Sequence, residues 1–115
     1  MKIHTPIYNE ADIENGCVAY ARRYGWKTWK LSAHNDIGTP DRVFILGKQG
    51  IIVEFKQASG KLGPLQEENG RQLLDDGCEY YLVTTPAQAD RFKQLLRRRS
   101  EKAKGVSKRR NKVSA

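Results

Sequence analysis

The stretch Ile51-Ile52-Val53-Glu54-Phe55-Lys56 constrains this chain most. Side chains alternate in direction along a strand. Ile51, Val53 and Phe55 therefore share one face, and Ile52, Glu54 and Lys56 share the other. Both faces begin apolar, which marks a central strand with cover on each side. A carboxylate and an ammonium then stand at the end of that strand, where burial is costly for a charge.

The rest of the chain supplies the neighbours. Asn9 is placed to cap a helix, with Glu10 and Asp12 at its positive end. Ile13, Cys17, Tyr20, Ala21 and Tyr24 follow at helical spacing, and Gly25 ends the run. Gly16 inside it costs roughly 1 kcal/mol relative to Ala, which either a close backbone approach explains or the helix simply tolerates. WKTWKL (26–31) alternates as a strand, and SAHNDIGTP (32–40) is a polar loop. RVFIL (42–46), a turn at 47–50 and the strand at 51–56 form an antiparallel hairpin. Pro64 opens a helix to about Asp76, with Leu65, Leu73 and Leu74 as its apolar contacts, and Gly77 stops it. EYYLVTT (79–85) is a fourth strand, parallel to the third because a helix joins them. Pro86 begins a last helix with Ala89, Phe92, Leu95 and Leu96 on one face. The order is α-β-β-β-α-β-α, an α/β chain with a small mixed sheet flanked by helices.

A length of 115 residues fits one domain. No apolar run approaches the roughly 18 residues needed to span a membrane. The N-terminus has no apolar signal core, so secretion is not expected. Cys17 and Cys78 belong to no CxxC or Cys/His cluster, which argues against zinc or iron–sulfur and for two reduced thiols in the cytosol. Net charge is +8 and unevenly spread: residues 1–96 hold 12 basic and 12 acidic residues, whereas residues 97–115 hold nine basic and one acidic. The expected division is a domain over 1–96 and a basic tail over 97–115, mobile beyond a short helical extension. A basic tail on a neutral body suits a polyanion, held through counterion release.

In the hairpin, the start of one strand meets the end of the next, so Asp41 is expected beside Glu54 or Lys56. Two carboxylates in a partly buried place repel each other and call for a cation. A hard divalent ion suits them, since Mg²⁺ takes one or two carboxylates with water and a phosphate. Lys56 faces the same space and can orient a water or meet developing phosphate charge.

Gly38-Thr39-Pro40-Asp41, then Glu54-Phe55-Lys56, then Gly60 and Gln66 within GKLGPLQ, resemble the PD-(D/E)XK nuclease superfamily and specifically its VRR-NUC branch. The resemblance covers about residues 8–90. It implies the restriction-endonuclease-like fold. It also implies that Asp41, Glu54 and the Phe55 carbonyl bind Mg²⁺ or Mn²⁺, that Lys56 assists the attacking water, and that Gln66 supports the site. Such members place a further carboxylate on the first helix. Glu14 is favoured, eleven residues before Gly25, and Glu10 competes for the role. The small size is similar to that of minimal stand-alone members of phages and bacteria, which resemble Holliday junction resolvases and work as homodimers. That implies a metal-dependent endonuclease for branched DNA in the cytoplasm of a bacterial or phage-infected cell, at the nucleoid. Symmetric cutting of a four-way junction needs two sites related by a twofold axis.

His34, Lys30, Ser32, Lys61, Arg42 and Arg71 flank the expected site, and Arg97, Arg98 and Arg99 begin the basic tail. All are candidates for DNA contact. Tyr8, Trp26 and Trp29 are candidates for a dimer surface, with core packing the commoner use. A flap or linear-DNA nuclease of the same fold is the alternative, and a non-catalytic nucleic-acid binding module is the third reading.

Overall fold

The computed structural model describes residues 9–31, 38–57 and 62–113, with side chains described up to residue 105. The elements are α1 (Glu10–Arg23), β1 (Lys27–Lys30), β2 (Arg42–Leu46), β3 (Gln49–Phe55), α2 (Pro64–Asp75), β4 (Glu79–Val83) and α3 (Pro86–Val113). Their order is the expected one. The sheet runs β1-β2-β3-β4, antiparallel between the first three strands and parallel between β3 and β4. Asn9 caps α1 by accepting the Ala11 N–H at 2.9 Å.

The register assigns the faces. Thr28, Phe44 and Ile51 line up on one face, and so do Val53 and Phe55. Phe44, Ile51, Val53 and Phe55 are fully buried against Cys17, Val18 and Ala21 of α1 and Ala89, Phe92 and Leu96 of α3. Phe44 and Phe92 meet edge-on at 5.1 Å between ring centroids, joining sheet to helix. Trp26 is part of this core, and its indole N–H donates to the Leu96 carbonyl at 3.0 Å.

The second face is covered differently. α2 packs on β4 through Gly70, where a Cβ would lie 3.0 Å from the Tyr80 ring. Leu65 and Leu74, expected as apolar contacts of α2, are exposed instead, although Leu65 still abuts Gly38. Trp29 is also exposed, at 52%. It projects onto the part of this face, over β1 and β2, that lies away from α2 and β4.

The boundary expected after residue 96 falls inside α3. Ser100 is buried and its hydroxyl donates to the Tyr24 carbonyl at 2.6 Å, while Arg99 reaches Glu79. The first turn beyond residue 96 is therefore docked on the body despite its charge. Gly16 needs no close approach: a Cβ there would meet only Lys93 Nζ at an ordinary 3.5 Å. Cys17 and Cys78 are free thiols, and burial pushes the Cys17 thiol up to about 11. Among the described residues no helix is long and apolar enough to cross a membrane.

Candidate active site

The pairing of Arg42 with Val53 sets Asp41 opposite Glu54, one residue further along each strand. Two bonds fix Asp41 there. The Leu31 N–H donates to its carbonyl at 2.8 Å, and the Phe55 N–H donates to its Oδ2 at 2.7 Å. The loop before it is held by α2. Asn69 Nδ2 donates to the Gly38 carbonyl at 2.8 Å, and a Cβ on Gly38, whose φ is +90°, would lie 2.6 Å from Leu65 Cγ. Only glycine combines that backbone with that contact.

Glu54 is 3% exposed. Burial is the first cause that lifts its carboxyl, to about 8, and Asp41 is the second, by charge and by a hydrogen bond between the two groups. Glu10 adds to the rise and Lys56 opposes it. Among the described residues neither Asp41 nor Glu54 has a cationic partner within 4 Å. The pair is thus left to a proton, or to a cation from outside.

The two carboxylates of α1 separate. Glu14, the favoured helix carboxylate, is buried and bonded to Arg42 Nε at 2.5 Å. Its charge is spent on a protein cation. Glu10 is raised by burial first and by Asp41 next, with Lys56 and Lys30 opposing. The helix N-terminus therefore brings Glu10, not Glu14, into the field of the acid pair.

Lys56 follows β3, its N–H donating to the Val83 carbonyl at 3.1 Å. Gln66 accepts the Gly63 N–H on its Oε1 at 2.9 Å, which closes the start of α2. This structural bond is its described contact. Tyr80 was not foreseen. Its hydroxyl is raised by burial and then by Glu54 and Asp41, so it faces the acid pair from β4. The alternation in EYYLV was the available signal.

Lys30 is exposed at the end of β1, close enough to act on Glu10. Arg71 is taken by Glu68 and Asp75 of its own helix. Arg97 pairs with Glu101 and lies over the Tyr24 ring. Arg99 is held by both oxygens of Glu79, at the far end of the sheet. Arg98 is exposed and makes no ion pair among the described residues. Ser32, His34, Gly60, Lys61 and Tyr8 lie outside the described residues.

A solved structure titled "VRR_NUC domain" superposes on this chain with a TM-score of 0.61 and 26% sequence identity. The match covers 71% of this chain and 90% of the other. The chain has the fold of this VRR_NUC domain, and the similarity supports the resemblance drawn from its sequence. It is a nuclease-type domain with the restriction-endonuclease-like architecture expected from the sequence. No family model matches the sequence, and no curated protein matches it significantly.

A divalent ion fits this site by the chemistry of its donors. Asp41 and Glu54 offer hard oxygens side by side, with the Glu54 carboxyl raised by burial and then by Asp41. Among the described residues no three His, Cys, Asp or Glu side chains form a complete metal cage. Two carboxylates, completed by water and a phosphate, are a usual Mg²⁺ arrangement. The cleft of about 310 Å³ between β4 and α3 is lined by Tyr81, Val83, Phe92 and Leu95 and holds no acid.

Proposed function

We propose that the protein is a metal-dependent endonuclease that hydrolyses DNA phosphodiesters and acts on branched DNA as a homodimer. The observation that carries the reading is the pair of buried Glu54 and part-buried Asp41, without an ion-pair partner among the described residues, beside Lys56. A purely structural acid pair would be expected to find a salt-bridge partner, as Glu14 and Glu79 do.

Asp41 and Glu54 would hold Mg²⁺ or Mn²⁺, with the Phe55 carbonyl as a further candidate ligand and Glu10 close by. When bound, the ion would neutralise the phosphate and lower the pKa of a coordinated water. Lys56 donates hydrogen bonds to the attacking water or the non-bridging phosphate oxygens. Lys30 contacts a neighbouring phosphate, and Arg98, toward the far end of the sheet, can meet only a distant part of the strand, both without sequence preference. Tyr80 closes the α2 side of the site. Work in the cytoplasm on nucleoid DNA suits this chemistry.

The test is cleavage of a labelled four-way junction, a flap and a linear duplex by wild type and Lys56→Ala, with Mg²⁺, Mn²⁺ or EDTA. Symmetric nicking of the junction that needs metal and Lys56 supports the reading. Binding without cutting under every metal would leave a binding module. Equal cutting of the duplex would keep the nuclease and remove the junction.

A further inference from the structure

Trp29 and Leu31 project from β1 onto the same face of the sheet as Asp41 and Glu54. The Leu31–Asp41 hydrogen bond puts Leu31 directly across from Asp41, and Trp29 pairs with Val43, which pairs with Ile52. Trp29 is 52% exposed and Leu31 39%. Residues two apart on a strand are about 7 Å apart, so the indole begins roughly one nucleotide's reach from the acid pair. The shelf is apolar, but its rim is cationic. Lys27 shares its face on β1 and Lys56 stands beyond it, neither paired with a carboxylate among the described residues.

We infer that the Trp29–Leu31 shelf holds an unpaired nucleobase next to the scissile phosphate, so that the enzyme selects strands whose bases are free to leave the duplex stack. The inference rests on the nuclease reading above and specifies its substrate: splayed, flapped or single-stranded DNA at the cut site. An aromatic face stacks on any base, and the surrounding lysines take the phosphates, which gives structure preference without sequence preference. A base paired within a continuous duplex cannot reach the shelf without unstacking. A second copy of the chain is the other occupant such a face could take. Seated on Leu31, it would cover Asp41 and block phosphate from the acid pair, so the charge and the geometry favour nucleic acid.

Trp29 and Trp26 are the two tryptophans of the chain, and Trp26 is buried in the core. Intrinsic fluorescence in EDTA therefore reads Trp29 without cleavage. Splayed-arm and single-stranded DNA quench wild type, and a blunt duplex of equal length quenches it far less. Trp29→Ala loses the quench and weakens splayed-arm binding about 10-fold, with duplex binding changed less than twofold. Trp29→Phe loses the quench and keeps most of the affinity, because the ring remains. Equal quenching by duplex, binding without any quench, or an equal loss of affinity for both DNAs from Trp29→Ala overturns the inference. So does a Trp29 signal that changes with protein concentration alone, which would put a second copy on the shelf. Metal-dependent cutting measured in parallel separates the two readings. Cutting with a silent Trp29 defeats the shelf alone, and a quenched Trp29 without cutting defeats the nuclease alone.

Discussion

At the start of β4, Glu79 meets Arg99; at the end of β3, Glu54 meets Asp41. The first carboxylate accepts from both guanidinium NH groups and is held below the usual carboxylate range, chiefly by that bond. The second is buried against another acid and rises. Both stand within one small sheet, a few residues apart along neighbouring strands. The paired end fastens α3 to the sheet. The unpaired end is an instability that folding alone does not remove, and under the proposed function an external cation would resolve it.

The largest expected effect breaks the unpaired end. Glu54→Gln lowers cleavage at least about 100-fold, because a metal oxygen and its charge are lost. In EDTA at pH 8 the same variant melts higher than wild type, since the amide removes the repulsion with Asp41. Cleavage assays and thermal melting on one preparation check both signs. Gly38→Ala comes next. Its Cβ would collide with Leu65 and Asn69 in a left-handed backbone, at a cost of about 2 kcal/mol or more in denaturant unfolding, and it moves Asp41 enough to lower cleavage. Glu79→Gln sharpens the comparison from the other end. It costs about 1 kcal/mol of stability, as expected for a half-buried pair, and leaves cleavage per folded molecule unchanged. Gly16→Ala, remote from both ends, stabilises by up to about 1 kcal/mol in the same unfolding assay, because the new methyl meets only a lysine tip.

The sheet and its register were readable because strand alternation and the Gly47–Lys48 turn leave one arrangement that buries Ile51, Val53 and Phe55 together. The sequence left Asp41 beside Glu54 or Lys56, and the tighter turn, with Leu46 paired to Gln49, sets it opposite Glu54. What was not readable depends on helix placement. Glu10 and Glu14 lie one turn apart on α1, and sequence does not say which of them Arg42 will claim. WKTWKL puts a tryptophan on each face, and only the docking of α2 over β4, set by the Gly70–Tyr80 contact, leaves Trp29 uncovered. The charge of residues 97–105 suggested solvent, whereas Ser100 and Arg99 each find one specific partner across the fold.

The most direct test of the unpaired acid end is thermal melting against pH, with EDTA and with excess Mg²⁺ or Mn²⁺. Glu54 keeps its proton to about pH 8 when folded, against an ordinary value of 4.5. Between those values the folded state binds the extra proton, so stability in EDTA falls as pH rises through the window and is level on either side. Under the proposed function a cation would replace the proton. The account predicts a fall of roughly 4 °C or more in EDTA between pH 5 and pH 8, a metal-induced rise in Tm that grows with pH, and neither effect in Glu54→Gln. A wild-type Tm that is level across the window and indifferent to both metals at pH 8 would contradict it.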